Sequence, residues 1–158
     1  MTASLSKARA LALLVPAALL AGAWGFQLIG HLPPCEMCHW QRWPHYAALV
    51  VALLAYGVAA KPPLSRVLVI LAGLLIIASG AVGVFHAGVE WKWWDGPAHC
   101  TGGGFGGGDP LRALLSQRIV RCDVAAWRLL GLSLAGWNAV LSIGGGLIVM
   151  LLAARRRP

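Results

Sequence analysis

Four long apolar runs, separated by short polar breaks, dominate the pattern along the chain. The first extends from Ala10 to Ile29, after Lys7 and Arg9 and before His31-Leu32-Pro33-Pro34. The second covers 43–60 and stops at Lys61-Pro62-Pro63; the third covers 67–87. The fourth, 129–152, lies in the uncharged stretch between Arg128 and Arg155. A bilayer core of about 30 Å needs about 20 apolar residues as helix, and all four runs reach that scale. The pattern predicts an all-α membrane protein, a four-transmembrane-helix bundle forming one integral-membrane domain over 1–158. Two loops, at about 30–42 and 88–128, then share one side of the membrane.

Two of the runs need comment. The apolar part of the second, Tyr46 to Ala60, is short, so Trp43, Pro44 and His45 are expected to form its interfacial first turn, where proline is tolerated. The first resembles a secretory signal, with Lys7-Ala8-Arg9 ahead of it and Ala21-Gly22-Ala23 inside it. Its apolar character continues through Trp24, Phe26, Leu28 and Ile29, which favours a retained membrane helix. In the second loop, 110–121 predicts a short amphipathic helix, with Leu111, Leu114, Leu115 and Ile119 on one face. Ahead of it, Gly102 to Gly108 is interrupted only by Phe105, the composition of a flexible segment.

Composition sharpens this picture. Hydrophobic residues make up 59% and charged residues 11%, against about 25% charged in a soluble domain. The formal charge of +8 sits at the ends of the apolar runs and in the loops, not along one face, so nucleic acid is not an expected partner. Lys7, Arg9, Lys61, Arg66 and Arg155 to Arg157 crowd one side in very little chain. Arg42, Lys92, Arg112, Arg118, Arg121 and Arg128 are spread over the two longer loops. That density places both termini in the cytoplasm. Six of the eight tryptophans, Trp40, Trp43, Trp91, Trp93, Trp94 and Trp127, fall at the opposite, outward ends of the runs. Trp24 and Trp137 lie in the outward halves. A belt would mark both interfaces; the one-sided set is compatible with anchoring or with an aromatic-lined outward site.

All four cysteines fall in the two outward loops, Cys35 and Cys38 in the first, Cys100 and Cys122 in the second. An oxidising compartment makes these candidates for disulfide chemistry. Of three possible pairings, Cys35 with Cys38 is the natural one for a short redox motif, which leaves Cys100 with Cys122. A bond across two residues removes little chain entropy, so Cys35–Cys38 suits opening and closing better than stapling. Cys100–Cys122 reads either as a staple or as a redox pair. Two other readings of the first motif stand beside these. Cys35-Glu36-Met37-Cys38-His39 matches the attachment motif of c-type haem, but that assignment leaves Cys100 and Cys122 without a task. Zinc lacks a second closely spaced cysteine pair, and no metal is expected. No dinucleotide fingerprint is present, since the glycine stretch lacks a strand-to-helix context.

The residues then point to a family. Cys35-x-x-Cys38-x-Trp40-x-Arg42, His86 after the third run, Cys100, and Cys122-Asp123 leading to Trp127-Arg128-x-x-Gly131-Leu132-Ser133-x-x-x-Trp137-Asn138 together resemble the DsbB family. These are bacterial inner-membrane enzymes that reoxidise a periplasmic thiol oxidase. The likeness covers nearly the whole chain; His39-Trp40-Gln41-Arg42 stands where better-known members carry Tyr-Glu-Arg. The resemblance implies a quinone-dependent protein-disulfide oxidoreductase supporting disulfide formation in exported proteins. It implies that Cys100 forms a mixed disulfide with a DsbA-like thioredoxin-fold partner and that Cys122 then exchanges with Cys35. Cys38 would donate to ubiquinone or menaquinone, with Arg42 and His86 at the head group and Trp40 beside them. The relay from such a partner to quinone is what keeps the bacterial periplasm oxidising.

Overall fold

The computed structural model describes residues 3–98, 100–101 and 120–155. The glycine segment 102–108, the expected amphipathic helix over all but its last two positions, and His99 lie outside the described residues. Among the described residues four helices carry the fold: α1 (Ala3–Leu28), α2 (Glu36–Gly57), α3 (Pro62–Glu90) and α4 (Leu134–Ala154). Three of them, α1, α3 and α4, are long and apolar enough to cross a membrane. The fourth, α2, carries His39, Gln41, Arg42 and His45 in its outer half, which lowers its hydropathy.

The helix starts follow from local chemistry. Cys35 caps α2, its Sγ accepting from the Cys38 N–H at 3.2 Å. Pro62 and Pro63 open α3, where a missing N–H costs nothing. Ser133 caps α4 by accepting from Gly136 N at 3.1 Å.

Two boundaries differ from the sequence pattern. Helix α2 begins at Glu36 and not at 43, so Cys38, Trp40 and Arg42 lie on its first two turns, not in a loop. The apolar run marks what lipid can cover; the cap at Cys35 marks where the helix starts. The fourth run begins at 129, but α4 begins at Leu134. Residues 128–133 form an antiparallel hairpin instead, with Arg128 opposite Ser133 and Leu129 opposite Leu132. Its two-residue turn, Leu130-Gly131, has φ of +52° and +83°, the signs a tight primed hairpin turn requires. The described fold is therefore helical apart from this two-stranded ribbon.

The interior falls into two clusters. One gathers Leu5, Ala8 and Ala12 of α1 with Ala52, Ala55, Val69, Ala72, Val149 and Ala153. Small residues let backbones approach where lipid offers no hydrophobic contrast. Helix α1 is an integral member of this bundle, and Ser4 Oγ donates to Leu152 O at 2.5 Å. The other cluster contains Cys35, Met37, Val89, Cys100 and Cys122, so both cysteine pairs share one buried nucleus.

Candidate active site

Cys100 and Cys122 are joined, with Cα atoms 5.4 Å apart, and Cys122 N donates to Cys100 O at 2.8 Å. Cys35 and Cys38 are free thiols, Cys35 buried and Cys38 half-buried. Within the reduced pair the two sulfurs differ in character. A hydrogen bond from the Cys35 thiol is the main influence holding Cys38 below the ordinary thiol range, with help from backbone N–H and the Arg42 charge against the cost of burial. The same hydrogen bond, burial and the neighbouring charge push Cys35 well above that range. Cys38 is therefore the more readily ionised sulfur of the pair, and Cys35 the one that holds its proton more firmly.

A chain of buried polar side chains runs from this pair into the bundle across α2, α3 and α4. Asn138 Nδ2 donates to the Ser79 carbonyl at 3.2 Å and to Gln41 Oε1 at 2.9 Å. Gln41 Nε2 donates to the Met37 carbonyl at 3.2 Å and lies 2.8 Å from His86 Nδ1. Backbone carbonyls thus fix both amide orientations, and His86 Nδ1 must accept. The proton of His86 resides on Nε2, which donates to the Cys122 carbonyl at 3.1 Å and sits 3.7 Å from Cys35 Sγ. His86 is a neutral hydrogen-bond donor that ties Cys100–Cys122, the outer pair, to Cys35 and Cys38, the inner pair. Glu90 Oε1 is 3.8 Å from the same nitrogen.

Cys35, Cys38 and His86 bring their ligand atoms within 4.8 Å of one another, close enough for a metal ion. The tautomer opposes such use, because the Nε2 lone pair is occupied by the proton that Cys122 O accepts. The arrangement suits exchange between sulfurs.

Below the pair lies a cavity of about 420 Å³, walled chiefly by apolar side chains of α1 and α4, including Leu19, Phe26, Leu134 and Trp137, and by Trp127 ahead of the hairpin. Cys38, Gln41, Arg42, His45 and Asn138 supply its polar wall. Arg42 is held in place: it donates to Gln27 Oε1 at 2.7 Å and Ala23 O at 3.3 Å, and lies 5.2 Å from the centre of the Trp24 ring. Of the residues given site roles from the sequence, Cys38 and Arg42 line this cavity, as do Trp127, Trp137 and Asn138 of the family motif. Trp40 and His86 do not; Trp40 is 38% exposed, and His86 is occupied by Gln41 and Cys122. Sequence reasoning gave no site role to Gln41, His45 or Asn138. Their signal was present as polar residues at i and i+4 on an otherwise apolar helix face.

Asp123 anchors the segment that carries Cys122. Its buried carboxylate accepts from Arg121 at 2.9 and 2.7 Å and from Lys92 Nζ, tying the segment to the end of α3. Arg121 first, then Lys92, hold that carboxyl well below the usual carboxylate range. A depressed folded value means its contribution is complete above the unfolded value of about 3.9 and fades only in strong acid. Both cations are more than half exposed, so the contribution is about 1 kcal/mol or less. Asp123→Asn is expected to speed reduction of Cys100–Cys122 by a small dithiol about fivefold, by an equal factor from pH 5 to 8. An unchanged rate would show that the ion pairs do not restrain this segment.

Two cysteine pairs packed into one nucleus, carried by a helical bundle with spans long enough for a bilayer, define a membrane protein of thiol–disulfide exchange. The family is specific: the chain belongs to the DsbB family, whose sequence model, "Disulfide bond formation protein DsbB", matches residues 6–152. A protein named "Disulfide bond formation protein B" from Marinobacter nauticus is 33% identical, over 89% of this chain and 89% of its own length. Similarly named proteins from Polaromonas sp. and Methylococcus capsulatus are each 31% identical. The first match covers 92% of this chain and 89% of the relative, the second 85% of each. No solved structure matches the chain. The chain is thus a multi-pass membrane protein of disulfide bond formation.

Proposed function

We propose that this protein reoxidises a periplasmic DsbA-like thioredoxin-fold oxidase and passes the two electrons to a membrane quinone, ubiquinone or menaquinone. The observation that carries the reading is the placement of Cys38, a sulfur of lowered pKa that lines an apolar cavity beside Arg42 and shares a buried nucleus with Cys100–Cys122. In this scheme all four helices span the bacterial inner membrane, both termini are cytoplasmic and the cysteines face the periplasm.

The chemistry closes in three exchanges. A thiolate of the reduced partner attacks Cys100, releasing Cys122, and the second partner thiol resolves the mixed disulfide. Cys122 then attacks Cys35, and Cys100 resolves that mixed bond while Cys38 leaves as the thiolate. The reduced inner pair finally gives two electrons to quinone. The sulfurs become the Cys35–Cys38 disulfide, and the ring takes two protons to become quinol. Arg42 stabilises negative charge developing on Cys38 and on a ring oxygen. His86, donating to the Cys122 carbonyl 3.7 Å from Cys35, keeps the two pairs in register for the middle step.

The test uses purified, quinone-depleted protein with a reduced thioredoxin-fold oxidase. It should oxidise about one round of partner from its stored disulfides, stop, and resume when quinone is added. Sustained turnover without quinone, or a haem Soret band in the same sample, would refute the scheme. Impermeant thiol reagents should label the reduced cysteines in intact spheroplasts; labelling only after lysis would reverse the orientation.

A further inference from the structure

We propose that His45 is a head-group ligand in the cavity, its Nδ1 accepting a hydrogen bond from a hydroxyl of the reduced quinone. The inference rests on the reading that this cavity takes a quinone, and it adds a preference between the two redox forms of that substrate.

The argument is an accounting of hydrogen-bonding groups. His45 lines the cavity and is only 2% exposed. Asn138 Nδ2 is committed to the Ser79 carbonyl and to Gln41, so Asn138 Oδ1 is an acceptor. His45 Nε2 lies 3.1 Å from that oxygen and 3.2 Å from Ser142 Oγ, whose hydroxyl itself donates to Asn138 Oδ1. The proton of neutral His45 is therefore on Nε2, and Nδ1 is a bare lone pair. That atom is buried and has no partner among the described residues. An acceptor left unmatched in a protein interior is costly, and it is conspicuous beside a polar chain in which Gln41, Asn138 and Ser142 are all engaged.

A lone pair discriminates. A quinol hydroxyl can donate to it; a quinone carbonyl presents only lone pairs and is opposed. Arg42, one turn earlier on the same helix, has the opposite character. Its guanidinium carries five N–H donors, and its bonds to Gln27 and Ala23 leave some of them for a ring oxygen in either redox state. The reaction converts Cys35 thiol, Cys38 thiol and quinone into the disulfide and quinol, two electrons and two protons passing from the sulfurs to the ring. A ligand that favours quinol draws this equilibrium toward the oxidised cysteine pair.

The test measures binding of decyl-ubiquinone and decyl-ubiquinol to the full chain in nanodiscs. A Cys35→Ser, Cys38→Ser background prevents electron transfer during the titration. Adding His45→Phe should weaken quinol binding about tenfold and quinone binding less than about threefold. His45→Asn, which returns a side-chain acceptor, should keep the quinol-to-quinone ratio within about threefold of the parent. Equal loss of both ligands in both variants, or no change in the ratio, would overturn the role of His45. If the parent binds neither ligand, it is the quinone reading that fails. Exchange at Cys100–Cys122 with a small dithiol, measured in each variant, reports that the outer pair remains folded.

Discussion

Replacing Cys38 by serine is expected to stop electron delivery to quinone altogether, a loss of more than about 10³-fold, or about 4 kcal/mol. The outer pair should remain able to exchange with its partner. The reason lies in the unequal sulfurs. Cys38 accepts the hydrogen bond of the Cys35 thiol, feels the Arg42 charge and lines the cavity, so it ionises more readily than Cys35. Cys35 is buried and pushed up, and it neighbours His86, whose Nε2 donates to the Cys122 carbonyl on the side of the other pair. Cys35→Ser should instead sever the exchange between pairs while leaving a reactive Cys38. The pH dependence follows from the signs. Cys38 is lowered, so its reactivity toward iodoacetamide should persist as pH falls below the ordinary thiol value of about 8.5 and disappear only below its depressed value. Cys35 should stay unlabelled throughout. Mass-spectrometric mapping of alkylated reduced protein reads both. Equal labelling of the two cysteines, or quinone reduction by Cys38→Ser protein, would remove the assigned division of labour.

The sequence made the helical bundle legible because lipid imposes a length on each apolar run, and α1, α3 and α4 satisfy it. Of the two expected cysteine pairs, Cys100–Cys122 is bonded, while Cys35 and Cys38 lie together as free thiols. What escaped was everything decided by caps and by contact across helices. Cys35 caps α2 with its sulfur, so the helix begins seven residues before its apolar run and turns a loop motif into a helix-end motif. Leu130 adopts a left-handed conformation in the hairpin ahead of α4, and a leucine gives no warning of that. Of Arg42, His86 and Trp40, Arg42 lines the apolar cavity, where it is joined by Gln41, His45 and Asn138; spacing along one chain cannot say that Asn138 meets Gln41 over 97 residues. His86 keeps a functional position, but its hydrogen bonds direct it to the cysteines.

The crossing of α3 and α4 sets the distances on which all of this chemistry depends, and it supports a second prediction of large effect. Asn138 of α4 reaches Ser79 of α3 because the two helices come into backbone contact, and from there it meets Gln41 of α2. Gly83 is at that contact: a Cβ there would lie 2.9 Å from the Ala135 carbonyl oxygen and 3.0 Å from Ala139 N. Both are backbone atoms of α4, which cannot turn aside as a side chain can. Gly80 faces α4 in the same way, against Ile143 and Ser142. Gly83→Val should therefore push α4 away from α3 and break the polar chain, costing about 3 kcal/mol or more, at the upper end of overpacking effects. The freed amides of Asn138 and Gln41 add the cost of buried groups without partners. Because α4 lines the cavity through Leu134, Ala135 and Asn138, quinone use should fall together with thermal stability in detergent. Gly57 is the control, since a Cβ there meets nothing within 4 Å; Gly57→Ala should leave both measurements unchanged. A Gly83→Val protein with the melting temperature and quinone kinetics of the parent would mean that the helices do not cross as closely as the structure has them.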